Sequence, residues 1–563
     1  MDMTACNAPL PVWPPADFPP MKPMERRELL RLAVAGASSL WLPRSAQSQT
    51  RFNSSPFTLG IASGSPTSES VVLWTRLLLP AATDAAWERE PVAVQWEVAH
   101  DDQFVRIVQS GRAMALPELA HSVHAEVSGL EPDHWYFYRF MAGDAISPVG
   151  RTRTFPRSGA KVARLRLAYA SCQRWEHGYF SAYRHMREEN LDAVMFLGDY
   201  IYEYPGAPNG LRLPNMTSSL GFVVTLDDYR ARYALHKSEP DLQAMHAACP
   251  WLMTWDDHEV QNDYAGLQAG NSSMADIFSK PADFVRRRAA AYQAYYEHMP
   301  IRAATLTKAL NGLIHHDSGA EMRIYSRVDF GNLAALYLLD ARQYKDPQLC
   351  SKDGGLGSSQ VNPANCAAWS DPRRTMLGQQ QESWLSGEFG RAVQSGQTWN
   401  VVGQQTLFGQ RDNKPGAEQA FFNDGWDGYS AARSRLTDAL QKGAVRNPVF
   451  LGGDVHENWV GHIKGDYAQT QAAQSRAAIG VEFCGTSITS RSGGNSKTAE
   501  RLAENPHFVF ADAQRKGYGV AEFTPGQLTT TLRVVDDVTR RDTRIETLAS
   551  FVVQAGRPVV EKI

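Results

Sequence analysis

Side chains that commonly bind metal ions follow several short apolar runs in this chain. The clearest case is Val194–Leu197, which ends at Gly198-Asp199 and is followed three residues later by Tyr202. Gly-Asp alone is common where a strand enters a turn, because glycine adopts unusual backbone angles and aspartate bonds its own backbone. A turn therefore explains this pair by itself, and the other strand ends decide its interpretation.

Polar residues end six predicted strands in the same way. They are Ser171-Cys172-Gln173, Gly198-Asp199, Trp255-Asp256-Asp257-His258-Glu259, Asp340-Ala341-Arg342, Gly403-Gln404-Gln405 and Gly453-Asp454-Val455-His456. In open α/β sheets, ligands bind at the edge formed by the carboxyl ends of the strands. Each end alone has an ordinary explanation as a cap or turn, but together they predict a functional site at one sheet edge.

The residue types at this edge predict a metal centre. The candidate ligands are Cys172, Asp199, Tyr202, Asp257, Asp454 and His456. Phenolate and thiolate form readily on a highly charged cation, which favours a ferric-type ion over magnesium alone. Asp199 could bridge two ions, and two-metal sites catalyse phosphoryl displacement. The sequence has no Gly-x-Ser-x-Gly elbow and no dinucleotide fingerprint, so serine hydrolysis and hydride transfer lack support.

Five ordered motifs carry a family resemblance. They are SCQ, FLGDYIYE, WDDHEVQNDY, LDARQYKD and GGDVHENW. This set resembles the PhoD-type alkaline phosphatases (the alkaline phosphatase D family), which are calcineurin-like metallophosphoesterases related to purple acid phosphatases. The resemblance covers most of the chain. It implies an N-terminal β-sandwich, a four-layer αββα catalytic domain, and Fe³⁺ and Ca²⁺ as cofactors, with other divalent ions as alternatives.

The resemblance assigns iron ligands to four residues. Gly198-Asp199-x-x-Tyr202 is similar to the Gly-Asp-x-x-Tyr motif, in which the aspartate bridges two metals and the tyrosine binds the ferric ion. Cys172 stands where the wider superfamily has its first aspartate ligand. His456 corresponds to the last histidine of the Gly-His-x-His motif.

The resemblance assigns the second metal to two aspartates. Asp257 corresponds to the asparagine of the Gly-Asn-His-Asp/Glu motif. Asp454 replaces the earlier histidine of Gly-His-x-His, which favours the harder calcium ion. His258 would then lie over the leaving group. Gln405 stands where a histidine ligand is frequent, and its role stays open.

These assignments predict hydrolysis of a small phosphate ester by in-line attack of a metal-bound hydroxide, with His258 assisting the departing oxygen. Arg342 is either a phosphate anchor, because a guanidinium fork fits phosphate oxygens, or a structural partner of Asp340. Two alternatives stay open. The enzyme could prefer diesters, including phospholipid head groups, or the chain could be an exported binding protein with a silent metal site.

The domain pattern changes near residue 160. Residues 57–156 contain short β-rich runs at sandwich spacing, which predicts an immunoglobulin- or fibronectin-like unit. From Arg164 the order strand, helix, strand predicts a βαβ unit and a catalytic domain over 164–540, with a C-terminal tail over 541–563. Helices are predicted at 226–247, broken near Pro240, and at 282–298, and a closing β-hairpin at YGVAEFTPGQLTTTLRVVD.

The N-terminus, residues 1–50, predicts export. Arg26-Arg27 precedes the mildly apolar Leu29–Leu42 and small residues at Ser45-Ala46, as in a twin-arginine-type signal, although an interrupted amphipathic helix is the alternative. The run is too short for a membrane span, which needs ~20 residues. We therefore expect recognition by the twin-arginine export machinery and a periplasmic or secreted location. The true start could also be Met21 or Met24.

The net charge, the length and the cysteine spacing give no support for nucleic-acid binding or a structural zinc site and predict several domains. The net charge of −3 over 563 residues gives no reason to expect nucleic-acid binding, and the length predicts two or more domains. No Cys/His spacing typical of structural zinc occurs. Cys350 and Cys366 bracket a Gly/Ser/Asn-rich loop and are either a disulfide or two free thiols.

Overall fold

The computed structural model describes residues 51–78, 89–206, 210–212, 222–270, 280–306, 321–467 and 478–563. The predicted signal, with Arg26-Arg27, lies outside these residues. No helix in the described ranges is both long and apolar enough to cross a membrane.

The N-terminal strands form two layers around one core. They are β1 (Ile61–Gly64), β2 (Ser70–Arg76), β3 (Val92–Ala99), β4 (Ile107–Ala115), β5 (Ser122–Ser128), β6 (Trp135–Ala142), β7 (Ala145–Ile146) and β8 (Gly150–Arg153). Strands β4, β3, β6 and β7 form one antiparallel sheet, with β8 beside β6. Leu73 of β2 and Tyr138 of β6 share a buried cluster, so the alternating runs of this region pack against each other.

The remaining strands belong mainly to two larger sheets. They are β9 (Leu165–Ala170), β10 (Ala193–Phe196), β11 (Trp251–Met253), β12 (Ser326–Phe330), β13 (Ala334–Leu338), β14 (Gln360–Val361), β15 (Trp399–Gly403), β16 (Phe421–Phe422), β17 (Pro448–Gly452), β18 (Asn458–Lys464), β19 (Ala478–Cys484), β20 (Phe508–Asp512), β21 (Lys516–Phe523), β22 (Gln527–Val535), β23 (Ile545–Gln554) and β24 (Glu561–Lys562).

One sheet contains β24-β23-β22-β21-β9-β10-β11-β1-β2-β5 and the other β12-β13-β15-β17-β19-β18-β20. Strands β9, β10 and β11 run parallel, as do β13, β15, β17 and β19. Side chains of both sheets, such as Leu167, Met195 and Leu451, share one buried cluster. The sheets therefore pack face to face, with their parallel strands at the centre.

Helices cover the outer faces of these sheets. They are α1 (Ala182–Met186), α2 (Leu226–Lys237), α3 (Pro240–His246), α4 (Pro281–His298), α5 (Gly378–Gln394), α6 (Ser430–Lys442) and α7 (Thr498–Glu504). Tyr233 and Tyr295 pack with β10 and β11, whereas Leu385 and Leu436 pack with the other sheet. Helices α1 to α4 thus lie on one side, and α5 and α6 on the other.

The predicted helix break at Pro240 is confirmed. Helix α2 begins with a capping box between Thr225 and Asp228 and ends at Lys237. Helix α3 then begins with Pro240 in its first turn, where a missing N–H leaves no hydrogen bond unmade. The predicted C-terminal hairpin is confirmed as β21 and β22.

Two segments pair with strands outside the domains predicted for them. Strand β1 joins β11 in parallel at Gly64 and Trp251, so part of the N-terminal region extends the catalytic sheet. The predicted tail contributes β23 and β24 to the same sheet. Strand β23 hydrogen-bonds along the whole of β22, and its alternate side chains are buried from Ala549 to Val553, which anchors this segment.

Candidate metal centre

The loops that follow the parallel strands meet at one edge. The N–H of Cys172 donates to the carbonyl of Gly198 at 3.1 Å, and the N–H of Gln173 donates to the carbonyl of Asp199 at 3.0 Å. Gly453, after β17 in the other sheet, would clash with Ser171 if it carried a Cβ, at 2.3 Å from the Ser171 hydroxyl. The predicted polar strand ends of both sheets therefore lie side by side.

A first group of ligand atoms comes from both sheets. One donor atom each of Cys172, Asp199 and His456 lies within 4.8 Å of the others. The phenolic oxygen of Tyr202 lies 2.9 Å from Asp199 Oδ2 and 3.1 Å from His456 Nε2. His456 Nδ1 contacts the carbonyl of Arg491 at 2.8 Å, which fixes this nitrogen as the donor and leaves the Nε2 lone pair directed at the group.

A second group shares Asp199 with the first. Donor atoms of Asp199, Asp257 and His258 also lie within 4.8 Å of one another. Asp257 Oδ2 accepts the N–H of Asp263 at 2.7 Å, whereas its buried Oδ1 has no hydrogen-bond partner among the described residues. A buried carboxylate oxygen is normally paired, so a cation fits this position.

Two further acids adjoin the second group. Asp263 and Asp424 lie with Asp257 in a third set of close donor atoms, and the sequence analysis had assigned neither of them. Asp454, a predicted ligand, is half-buried. Burial raises its pKa, and the carboxylates of Asp257 and Asp424 add to that effect while Arg342 opposes it. Asp454 is therefore near these charges, although it belongs to none of the three described donor sets.

The chain holds four predicted ligands in a backbone conformation that side chains rarely adopt. Cys172, Asp199, Asp454 and His456 have φ values of 60°, 58°, 63° and 59°. Each such residue costs about 1–3 kcal/mol and persists when its surroundings enforce it, most often at functional sites. Gly198 has a φ of 110°, and a Cβ there would lie 2.4 Å from that of Asp256. Only glycine therefore permits this strand end to present Asp199.

Glu259 organises the site without belonging to a donor set. Its carboxylate accepts the N–H groups of Asp199 at 3.1 Å, Tyr200 at 2.6 Å and Asp256 at 2.9 Å. Burial raises its pKa to about 7. Glu259 lies inside the motif WDDHEVQNDY, and its contacts with two separate loops could not be inferred from one sequence.

Gln405, whose role the sequence left open, ties three loops together. Its amide nitrogen donates to the carbonyls of Trp255 at 2.8 Å and Leu339 at 2.7 Å, and its oxygen accepts the N–H of Ala341 at 3.2 Å. Both the oxygen and the nitrogen of its amide hydrogen-bond to the protein, so Gln405 has a structural role at this sheet edge.

His258 is held beside the two tyrosines of the site. Its Nδ1 lies 2.7 Å from Glu203 Oε2, and its ring packs against Tyr202 and Tyr204 with centroids 4.1 and 5.2 Å apart. Burial lowers the pKa of His258, but the carboxylates of Asp199, Glu203 and Asp257 outweigh it and hold the pKa well above its ordinary value. The sequence had not singled out Glu203.

The guanidinium of Arg342 contacts three carboxylates other than that of Asp340. Its guanidinium donates from Nε to Asp256 at 2.5 Å and from Nη1 to Asp424 at 2.7 Å, and Nη2 lies 3.5 Å from Asp257. From Arg342, Asp340 accepts the backbone N–H at 3.0 Å and no side-chain hydrogen bond, so the predicted ion pair between the two side chains does not form. The Arg342 side chain is 1% exposed, and its guanidinium nitrogens face these three carboxylates.

The thiol and phenol of the first group stay protonated unless a cation lies beside them. Burial raises the pKa of the Cys172 thiol and of the Tyr202 phenol, and the Asp199 carboxylate raises both further. Thiol, phenol, imidazole and carboxylate donors at these separations fit a metal ion, whose charge would reverse these shifts. The donor set therefore agrees with the predicted metal centre.

Comparisons with known proteins identify the family of this chain. The family model "PhoD-like phosphatase" matches residues 167–532, and "PhoD-like phosphatase, N-terminal domain" matches residues 44–156. Alkaline phosphatase D of Bacillus subtilis (strain 168) is 43% identical over 518 residues, which is 91% of this chain and 83% of the relative. A solved structure titled "Structure of PhoD" aligns with a TM-score of 0.79 and 42% identity over 91% of this chain and 93% of that one. The chain belongs to the PhoD-like phosphatase family.

Proposed function

We propose that this protein is a phosphatase that hydrolyses small phosphate esters at a centre of at least two metal ions. One observation carries the proposal: donor atoms of Asp199 lie within 4.8 Å of those of Cys172 and His456 in one group and of that of Asp257 in the other. A carboxylate shared by two adjacent donor groups is the arrangement expected of a metal-bridging ligand.

The two groups suit different ions. Thiol, phenol and imidazole from Cys172, Tyr202 and His456 suit Fe³⁺, whereas the carboxylates of Asp257 and Asp454 suit Ca²⁺ or another hard divalent ion. When bound, such ions supply Lewis acidity toward phosphoryl oxygens and activate water for in-line displacement.

His258 assists the departing alcohol in this proposal. Its Nδ1 faces the Glu203 carboxylate at 2.7 Å, which orients the ring and supports an Nδ1 proton. The other nitrogen, Nε2, then donates its proton or a hydrogen bond to the leaving oxygen. Such assistance contributes about 10²–10⁴ in rate.

Arg342 acts as a positioning residue. It holds Asp256 and Asp424 at 2.5 and 2.7 Å, and these acids belong to loops after strands of different sheets. Its guanidinium also limits the repulsion between the carboxylates gathered around Asp257.

The proposed fold has two domains, with the bounds predicted from the sequence. Residues 57–156 form an immunoglobulin-like sandwich whose one sheet continues the catalytic sheet, and residues 164–540 form a four-layer αββα domain completed by the C-terminal strands. The shared core between the two large sheets and the helices on their outer faces support this description.

Export by the twin-arginine route completes the proposal. Arg26-Arg27 supplies the signal, and the mature enzyme works in the periplasm or outside the cell. The disulfide between Cys350 and Cys366 supports an oxidising compartment. Replacing both arginines by lysine should keep the enzyme in the cytoplasm, and normal periplasmic recovery of that variant would contradict the export proposal.

The catalytic proposal is tested with metal-loaded protein. We expect hydrolysis of p-nitrophenyl phosphate, and we expect Asp199→Asn to lose activity together with part of its bound metal. Rates on bis-p-nitrophenyl phosphate decide between monoesters and diesters. A metal-loaded protein that cleaves neither ester would overturn the proposal and favour the binding-protein alternative.

A further inference from the structure

Arg174 stands two residues after Cys172, at the edge of the candidate metal centre. Its backbone N–H donates to Ser490 Oγ at 3.2 Å. The same hydroxyl lies 2.7 Å from the phenolic oxygen of Tyr202 and 2.9 Å from the carbonyl of Cys172. The backbone of Arg174 is therefore fixed to the loops that carry two candidate iron ligands.

The guanidinium of Arg174 lies over the aromatic wall of the site. Its central carbon is 5.6 Å from the ring centroid of Tyr202 and 5.1 Å from that of Tyr204. His258, the proposed acid, packs against the same two rings at 4.1 and 5.2 Å. Arg174 and His258 thus share one tyrosine pair beside the ligand groups.

The side chain of Arg174 makes few polar interactions among the described residues. Its nearest acid is Glu176, whose Oε2 lies 3.6 Å from Nε, beyond a normal hydrogen bond, and Arg232 holds the other oxygen of Glu176 at 2.7 Å. Within the described ranges, the buried Nε of Arg174 has no hydrogen-bond partner, while the side chain is 16% exposed.

Arg212 shows how a structural arginine of the same region differs. It also stacks on an aromatic ring, that of Trp175 at 3.9 Å. Its guanidinium, however, donates to the carbonyls of Trp175 at 3.1 Å and Gly178 at 2.6 Å and forms an ion pair with Glu239. Arg174, in contrast, has an Nε without a hydrogen-bond partner among the described residues, so this donor can serve another acceptor.

The surroundings of Arg174 are positively charged. The pKa of the neighbouring His177 is lowered to about 3, first by burial and then by the cations Arg174, Arg491 and Lys516. Lys516 Nζ donates to the carbonyl of His456 at 2.8 Å, which places this cation behind a candidate ligand. An anion at this side of the centre would meet a favourable potential.

We propose that Arg174 binds a terminal oxygen of the substrate phosphoryl group and thereby favours phosphate monoesters over diesters. The inference rests on the proposed phosphatase function and names the substrate class of that site. A monoester presents three terminal oxygens and about −1.5 to −2 charge near pH 7, whereas a diester has one of those oxygens esterified and a single charge. A guanidinium fork forms its strongest hydrogen bonds with charged phosphate oxygens, so Arg174 stabilises the monoester more.

The test compares Arg174→Gln with the unsubstituted enzyme. Arg541→Gln is the matched control, because Arg541 also lies over a tyrosine ring, 4.3 Å from Tyr179, but is exposed and contacts neither Tyr202 nor Tyr204 in the described structure. Arg174→Gln should lose at least about tenfold in kcat/KM on p-nitrophenyl phosphate, the loss expected for one hydrogen bond to a charged group. The rate on bis-p-nitrophenyl phosphate should change by less than about threefold, and Arg174→Lys should recover part of the loss because it keeps the charge.

Two further measurements separate substrate binding from a structural role. Metal content should stay unchanged in Arg174→Gln, while its affinity for inorganic phosphate, measured by titration calorimetry, should fall by a similar factor. Equal losses on both esters, lost metal, or unchanged phosphate affinity would each overturn the assignment. If the unsubstituted chain cleaves neither ester, the phosphatase proposal fails, whereas the calorimetric comparison still decides the role of Arg174.

Discussion

The phenolic oxygen of Tyr202 lies 3.1 Å from Nε2 of His456, although the two residues are 254 positions apart. Tyr202 follows a strand of the ten-stranded sheet, and His456 follows a strand of the seven-stranded sheet. The first donor group therefore forms only where the two sheets pack together. This donor group consequently depends on correct packing of the two sheets.

His258 should act on the leaving group and leave metal binding intact. His258→Ala removes the donor held by Glu203. We expect the hydrolysis rate to fall by about 10²–10⁴ on alkyl phosphates. The fall should be several-fold smaller on p-nitrophenyl phosphate, because p-nitrophenolate is a good leaving group that needs no proton. Steady-state rates on both esters and metal analysis check this.

His185→Ala is the control for that variant, because the His185 side chain hydrogen-bonds to the carbonyl of Thr543 and belongs to none of the donor groups. Equal losses on both classes of ester, or loss of metal from His258→Ala, would place His258 among the ligands or the structural residues.

Glu259→Gln should weaken metal binding through the backbone. The carboxylate accepts N–H groups from Asp199, Tyr200 and Asp256, and an amide offers one oxygen in place of two. Leaving a buried donor unpaired costs about 1–3 kcal/mol of the free energy of unfolding. Urea unfolding and metal titration of the variant measure the two effects.

Glu482→Gln is a matched comparison. Glu482 is also buried and accepts the N–H groups of Phe408 at 2.5 Å and Gly409 at 2.8 Å, outside the donor groups. It should destabilise the fold and leave metal affinity unchanged. The same metal affinity in both variants would show that Glu259 does not position the ligands.

The disulfide Cys350–Cys366 should support the second donor group. It closes the loop that carries Ser358, whose N–H and hydroxyl donate to Asp263 at 3.0 and 2.9 Å. Asp263 in turn donates its N–H to Asp257. Replacing both cysteines by alanine should lower the free energy of unfolding by about 3 kcal/mol and weaken metal binding.

Ser358→Ala separates these two effects. It removes one hydrogen bond to Asp263 and keeps the disulfide, so it should weaken metal binding with little change in stability. Unchanged activity and metal affinity in the double-alanine variant would show that the loop does not support the site.

Acid should destabilise the fold partly through His124. Its Nε2 lies 2.8 and 3.0 Å from the carbonyls of Tyr296 and Met299, and burial lowers its pKa to about 4. Between pH 4 and the unfolded pKa of about 6.5, the unfolded chain binds this proton and the folded one does not. The free energy of unfolding therefore falls as pH drops through this window, by about 3 kcal/mol for this residue.

His124→Gln should flatten that part of the pH dependence, as measured by urea unfolding at pH 7 and pH 4.5. His134→Gln, at a partly exposed position, is the control. Identical pH dependence in His124→Gln and the unsubstituted chain would contradict this account.

The sequence predicted the ligand edge because apolar strands that end in polar residues leave a clear pattern. Cys172, Asp199 and His456 were found in this way and lie together. Asp263 and Asp424 were missed, because an acid in a turn looks the same whether it faces solvent or another carboxylate. The partners of Glu259 are backbone groups, which no pattern of side chains reveals.

Strand pairing between the predicted domains could not be predicted from local sequence patterns. The pairing of Gly64 with Trp251 joins residues 187 positions apart. Strand β23, predicted as part of a tail, alternates buried and partly exposed side chains over only part of its length. Local periodicity identifies such strands but does not specify which sheet accepts them.

Cys172→Ser gives the most direct test of the central claim, which is that Cys172, Asp199, Tyr202 and His456 hold iron in a metal centre shared between two sheets. Protein purified from its export route should contain iron and show a visible charge-transfer band from thiolate and phenolate. In Cys172→Ser we predict less iron, a changed or absent band and a steep loss of phosphatase activity in a folded protein, while Cys249→Ser, at another buried free cysteine, keeps all three. Full iron content, an unchanged spectrum and near-normal activity in Cys172→Ser would contradict the account.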